Sequence, residues 1–316
     1  MRAFILAGGF ATRLWPLTER RAKPLLPLAG KPILSSIVEQ IPADIPVTIS
    51  TNAVLEEGFR SWEKTCERPL EILIEDTRND DQKLGALGAV RQWIREHHVD
   101  EDILLLTGDN YFGFDLSAFL RCAQGPALLA AHDVGDRERA RAFGTVILGP
   151  DRRTIEAFEE KPLSPRTSLV STGCSLLPKS ALPTLMEFAK HHPDNVGGIF
   201  EELLRRGDPV ECFTFTEHWF DIGSFEAYLE ATQALVGDHM LSESTAILKN
   251  VETRGSVVIG KNSHVEESSL KNVVLFEGCT VRDCVLENCI LDRHCHLEGI
   301  DLTGKMLREN SRLVRH

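Results

Sequence analysis

The sequence predicts an α/β fold: a mixed, mainly parallel sheet flanked by helices, with a short β-helix behind it. Three observations carry this. Apolar strand and helix patterns alternate through the first two-thirds of the 316 residues. Beyond Leu241 the apolar positions recur every five or six residues, a period too short for helices or ordinary hairpins. Glycine turns and carboxylates fall at the carboxyl ends of strands, where open α/β sheets bind ligands.

In order, strands are expected at Arg2–Leu6, Val47–Thr51, Leu70–Glu75, Ile103–Thr107 and Ala127–Ala131. Helices are expected between them near Pro32–Ile41, Leu55–Cys66, Leu84–His98 and Leu116–Ala123. Pro32 suits a first helical turn. Strands separated by helices imply βαβ units with right-handed crossovers. After about residue 140 the strands shorten, at Thr145–Leu148, Ile155–Glu159 and Leu169–Leu177, and an antiparallel extension forming the second wall of a cleft is expected. Helices Lys179–His191 and Gly198–Arg206, strand Val210–Phe215 and helix Phe225–Val236 follow, with Ser224 placed to cap the last. The domains read as 1–237, 238–304 for the β-helix, and a basic tail at 305–316 that caps its open end. In the repeat, Ile259, Val265, Leu270, Phe276, Val281, Leu286, Leu291, Leu297 and Leu302 mark the apolar beat.

Composition limits the functions available. A net charge of −12 excludes a broad nucleic-acid or acidic-membrane surface. No apolar run reaches the roughly 20 residues that span a bilayer, and the start is too short for a secretory signal. A cytoplasmic protein with eight reduced cysteines is expected.

The first strand runs into Ala7-Gly8-Gly9-Phe10-Ala11-Thr12-Arg13, then Lys23-Pro24-Leu25-Leu26-Pro27. A glycine turn after a strand presents bare N–H groups, a nest for phosphate. Arg13 and Lys23 add cations for a polyphosphate. The spacing is neither a P-loop nor a dinucleotide fingerprint. A glycine turn that only reverses the chain is the plainer reading for Gly-Gly alone; the two cations and the rigid Lys-Pro-x-x-Pro weigh against it.

This segment resembles the signature of the sugar-phosphate nucleotidylyltransferases, the family that includes glucose-1-phosphate thymidylyltransferase. Further motifs follow in the family's order: Gly108-Asp109-Asn110, Phe143-Gly144, Glu159-Glu160-Lys161-Pro162, Thr172-Gly173 and Trp219-Phe220-Asp221-Ile222-Gly223. The resemblance covers about residues 1–237 and implies a Rossmann-like fold, with a left-handed hexapeptide β-helix appended. Ala11 stands where many members carry glycine, which is tolerable if its φ is negative. The resemblance assigns Leu6, Ala7, Gly8, Gly9, Thr12, Arg13, Glu75, Gly85 and Asp109 to the nucleotide, and Asn110, Gly144, Glu160, Lys161, Thr172 and Gly173 to the sugar phosphate. Asp109 and Asp221 would hold Mg²⁺, which favours one or two carboxylates with phosphate oxygens. As lone residues, both could instead be turn or helix caps, and Glu-Glu-Lys a solvated charge cluster.

The implied substrates fix the chemistry. A sugar-1-phosphate is largely dianionic at neutral pH and needs no general base as nucleophile. Catalysis is then positioning and electrostatics, with Arg13 and Lys23 as catalytic cations on the triphosphate and Lys161 on the sugar phosphate. Pyrimidine-nucleotide members often carry glutamine at the end of the third strand, where this chain has Glu75-Asp76. Gly85 matches a glycine that admits the base to the backbone. Gly108-Asp109-Asn110-Tyr111-Phe112 looks most like the thymidylyl branch, so glucose-1-phosphate with dTTP or UTP is expected; a mannose-1-phosphate guanylyltransferase is the alternative.

Cys279, Cys284, Cys289 and Cys295, beside His294 and His296, share the repeat spacing and read as small stacked residues rather than metal ligands. Two other classes compete with the enzyme: a non-catalytic assembly subunit of the same fold, and an enzyme with a second, acyltransferase activity in the β-helix. Arg13, Lys23, Asp109 and Asp221 together argue against the first, and the brevity of the repeat against the second. Every proposed catalytic residue precedes Val236, so the β-helix reads as an oligomerisation or regulatory surface of a homo-oligomer. Its removal is expected to alter assembly and leave partial activity.

Overall fold

The computed structural model describes residues 1–76 and 84–315; residues 77–83 and His316 lie outside them. Two compact units emerge. The first comprises Met1–Gly9 with Ser36–Trp219, the second Phe10–Ser35 with Phe220–His316.

The first unit is built on a nine-stranded sheet. Its strands are β1 (Arg2–Leu6), β2 (Val47–Asn52), β3 (Glu71–Glu75), β4 (Ile103–Thr107), β5 (Ala127–Asp133), β6 (Gly144–Leu148), β7 (Ile155–Glu160), β8 (Leu169–Leu177) and β9 (Val210–Phe215). The spatial order is β7-β6-β8-β4-β1-β2-β3, with β5 pairing both β8 and β9. β1 runs parallel to β2 and β4, and β2 parallel to β3. β8 lies antiparallel to β4, β5 and β6. The strands after residue 140 therefore extend the one sheet, rather than forming a wall apart from it, because β8 hydrogen-bonds directly to β4.

Helices follow from pattern and capping. Ala86–Glu96 buries Leu87, Val90, Trp93 and Ile94, a spacing that makes one apolar stripe. Trp93 packs 4.6 Å from the Phe4 ring, and burying side chains of this size stabilises by roughly 1.5–3 kcal/mol each. Gly198–Arg206 ends in Gly207 at φ 82, the usual glycine stop.

In the second unit Pro32 is not helical. It pairs with Pro27 in a two-stranded turn, and the helix begins at Ile33. Ser224 caps helix Phe225–Val236, its Oγ accepting from Ala227 N at 3.1 Å. Residues 240–314 form the β-helix. Leu248, Val265, Val281, Leu297 and Leu313 stack in parallel register, so a coil takes 16 or 17 residues. Three runs of five or six residues close each coil, which is the spacing legible in the sequence. Corners carry left-handed residues in columns, such as Asn262, Gly278, His294 and Asn310. Cys279, Cys284, Cys289 and Cys295 are buried inside the coils. The ladder runs on through Met306–Leu307 and Arg312–Val314, so most of the basic tail is a further turn of the coil.

Candidate active site

In the first unit one edge of the sheet gathers the expected residues, and register alone orders them. Glu75 pairs with Asn52, and Asn52 Nδ2 donates to Gly8 O at 2.8 Å. Leu6 pairs with Thr107, and Gly108 N donates to Leu6 O at 2.8 Å, setting Asp109 beside the turn that follows Ala7. Cys174 pairs with Leu106, Val170 with Thr145, and Glu160 with Gly144. The edge therefore reads Glu75, Gly8, Asp109, Gly173, Gly144, Glu160.

A Cβ built on Gly9 meets nothing within 4 Å, and one on Gly8 meets only ordinary contacts at 3.6 Å or more. The fold leaves the backbone uncovered there, as a phosphate nest requires. Gly85 differs. Its φ is +81, and a Cβ would stand 2.6 Å from the Pro193 backbone. Pro193 O accepts from Leu87 N and Gly88 N, and Asp194 Oδ1 from Ala86 N. This glycine packs loop against helix, and the first-turn donors are occupied by the protein itself.

Asn110 is buried and its Nδ2 donates to Thr107 Oγ1 at 2.7 Å and Asp109 Oδ1 at 2.9 Å, which fixes the Asp109 carboxylate. At Thr172–Gly173 the β8 register slips, a bulge. Gly173 has φ +79, and a Cβ would sit 2.1 Å from Thr107 Oγ1. The Thr172 hydroxyl donates to Ala130 O at 2.9 Å, and its carbonyl accepts from Trp219 Nε1 at 3.2 Å. Its side chain is thus committed to the sheet. Trp219 as the brace of this bulge was not legible in the sequence; the aromatic ahead of Phe220-Asp221 was its one signal.

Glu160 lies against Gly144 and Gly197, where a Cβ would come within 3.0 and 2.0 Å of its Oε2. Burial pushes its carboxyl above the ordinary range, opposed by Lys161. Lys161 has φ +44, an uncommon backbone conformation for a residue other than glycine. Its amine is exposed, 3.8 Å from Glu160 Oε1. Burial likewise raises Glu75, while Ser50 Oγ donates to it at 2.8 Å and Leu84 N also bonds it.

In the second unit Thr12 and Arg13 are exposed in a short 3₁₀ turn. Ala11 ahead of them has φ +46, contrary to the negative φ expected, and Thr18 Oγ1 donates to its carbonyl at 2.8 Å. Lys23 is buried and its Nζ lies 3.0 Å from Asp221 Oδ1.

Comparison with known proteins meets this geometry. The model of the family described as nucleotidyl transferase matches residues 2–237, and the chain belongs to that family. Among its relatives, the bifunctional protein GlmU of Methanocaldococcus jannaschii is 27% identical over 261 residues, 82% of this chain and 60% of that protein. The chain thus spans about 60% of that relative's length. Among solved structures, a Bacillus anthracis protein described as a glucose-1-phosphate thymidylyltransferase, crystallised with sucrose, superposes with a TM-score of 0.62 at 22% identity, covering 73% of this chain and 93% of that one. That likeness is one of fold.

Proposed function

We propose that this chain joins a nucleoside triphosphate to a sugar-1-phosphate, releasing pyrophosphate, with glucose-1-phosphate and dTTP or UTP as the pair. The observation that carries the reading is the single sheet edge on which an open glycine turn, a fixed Asp109 carboxylate and the Glu160–Lys161 pair follow one another. Gly8 and Gly9 offer N–H groups to phosphate, Arg13 and Lys23 neutralise it, and Lys161 receives the sugar phosphate. Glu160 accepts from a sugar hydroxyl, and the Gly173 backbone closes over the sugar in place of the committed Thr172 hydroxyl.

Asp109 and Asp221 are each hard oxygen donors suited to Mg²⁺. When bound, the ion would supply positive charge against the phosphates. The chain's own residues hold the sugar phosphate and keep the anions together; the ionised phosphate needs no base from the protein. Cytoplasmic location and a homo-oligomer complete the reading. Among the described residues no helix is long and apolar enough to cross a membrane, and Met240, Leu241 and Ile247 are exposed on the coils.

One observation favours a second nucleotide. An ionised Glu75 carboxylate can only accept hydrogen bonds. Guanine offers it two adjacent donors, N1–H and N2–H₂, whereas thymine flanks its single N3–H with acceptors. GTP with mannose-1-phosphate is therefore the alternative pair. The test incubates the protein with Mg²⁺, each nucleoside triphosphate and a panel of sugar-1-phosphates, and reads pyrophosphate. Turnover is expected only with all three present. Asp109→Asn and Asp221→Asn should each lose at least about a hundredfold. No turnover across the panel by folded protein would favour the non-catalytic assembly subunit.

A further inference from the structure

Inside the second unit the segment carrying Arg13 and Lys23 is held to the β-helix by ion pairs. Arg21 Nη2 lies 3.1 Å from Asp292 Oδ1, with side chains only 12% and 5% exposed. The Arg21 guanidinium also sits 5.3 Å over the Phe276 ring, a cation–π distance. Asp292 is itself fixed, since its Oδ1 accepts from Arg293 N at 2.7 Å. Two residues upstream, Glu19 Oε2 meets Arg308 Nε at 3.0 Å. Glu19, Arg21, Asp292 and Arg308 line a cavity of about 220 Å³ with Pro16 and Leu17, so side-chain packing leaves part of the space under the segment unfilled. Directed charge contacts act there beside the burial of Leu14, Leu17 and Leu26.

Lys23 is two residues from Arg21. Fully extended, that separation is at most about 7 Å, and here it is short and stiff. Ala22 is buried, Leu25 N donates to Ala22 O at 2.9 Å, and Leu26 N to Lys23 O at 3.0 Å. A shift of Arg21 is therefore passed to the Lys23 backbone, from which the buried amine reaches its 3.0 Å contact with Asp221. Misplacement of a catalytic group by about 1 Å costs up to a hundredfold in rate.

We propose that Arg21 and Asp292 are positioning residues, through which the β-helix sets the place of the Lys23 amine. The inference rests on the reading that Lys23 acts on phosphate in nucleotidyl transfer. It makes the β-helix part of the working site, not an appended surface.

The test uses the full chain. Arg21→Met and Asp292→Asn each leave one buried charge without its partner, which risks folding. The double variant Arg21→Met/Asp292→Leu removes both charges and keeps apolar bulk, and Asp292→Glu is the conservative rescue. Two readouts are taken. Hydrogen exchange of amides 14–26, measured without substrate, should quicken at least about tenfold in the double variant while β1, β4 and β8 keep their protection. In turnover, kcat should fall at least about tenfold with KM for both substrates within about twofold, and Asp292→Glu should recover most of it. Unchanged exchange in the double variant overturns the proposal, whether or not the wild type turns over. So does faster exchange with unchanged kcat. Faster exchange in a protein inactive from the start supports the positioning link and removes the proposed reaction instead.

Discussion

At the residue scale, glycines that look alike in sequence do different work. Gly9 has open space where its Cβ would be, so Gly9→Ala should change stability by less than about 0.5 kcal/mol. Its methyl would stand where a phosphate approaches the backbone, and turnover should fall at least about tenfold. Thermal melts beside kinetics separate the two effects; a large loss of stability with normal turnover would make it a structural glycine. Ala11 is the converse, an alanine in a left-handed conformation, which costs roughly 1 kcal/mol. Ala11→Gly should raise the unfolding free energy by about that amount, read as a higher denaturant midpoint without a change of slope. No gain would mean that the Thr18 contact already offsets the strain. Glu160 links site and stability. Its pKa is raised by burial, so the folded state binds this proton more tightly than the unfolded one. Stability is then present in full below the unfolded value near 4.5 and is lost as pH rises through the folded value. Glu160→Gln removes the buried charge, and should melt higher than wild type at pH 7 but not at pH 4. A higher melt at both values would point to packing rather than charge.

At the element scale, most of the fold was legible because periodicity and burial agreed. Strands Arg2–Leu6, Ile103–Thr107, Leu169–Leu177 and Val210–Phe215 have the bounds the pattern gives. Pro32 instead pairs with Pro27 in a two-stranded turn spanning residues 27–32 before the helix starts, so local propensity for a first helical turn yields to that pairing. The positive φ of Ala11 shows in the sequence only through the glycine that many family members carry there, since alanine itself carries no preference for a left-handed backbone. The bulge at Thr172–Gly173 was legible only as a motif. Its geometry makes a firm demand: φ +79, and a Cβ position 2.1 Å from Thr107 Oγ1. Gly173→Ala must therefore move β8 against β4. It should cost about 1–3 kcal/mol and also weaken sugar-1-phosphate binding, seen as a raised KM. A variant of wild-type stability would show that the bulge adapts.

At the scale of the whole molecule, sequence order misleads about which parts belong together. The motifs place every proposed catalytic residue before Val236, which suggests that a cut there spares the site. The contacts say otherwise. Phe10–Ser35 forms one compact unit with Phe220–His316. Helix Phe225–Val236 places the buried Tyr228, whose hydroxyl donates to Pro27 O, 6.4 Å from the Phe276 ring, and Arg21 pairs with Asp292. Truncation after Val236 deletes Phe276 and Asp292, baring Tyr228 and leaving the Arg21 guanidinium without its buried carboxylate. The residues that bury Arg21 leave with it, so the guanidinium becomes hydrated, and what is lost is the set of contacts that holds the segment in place. The nine-stranded sheet has its own core and should survive, so circular dichroism should report a folded truncate. Turnover should nonetheless fall below about a tenth of wild type, with faster exchange across amides 14–26. Light scattering on the same samples reads assembly separately. A truncate that kept normal turnover while losing its oligomer would return the β-helix to the role of a subunit interface alone.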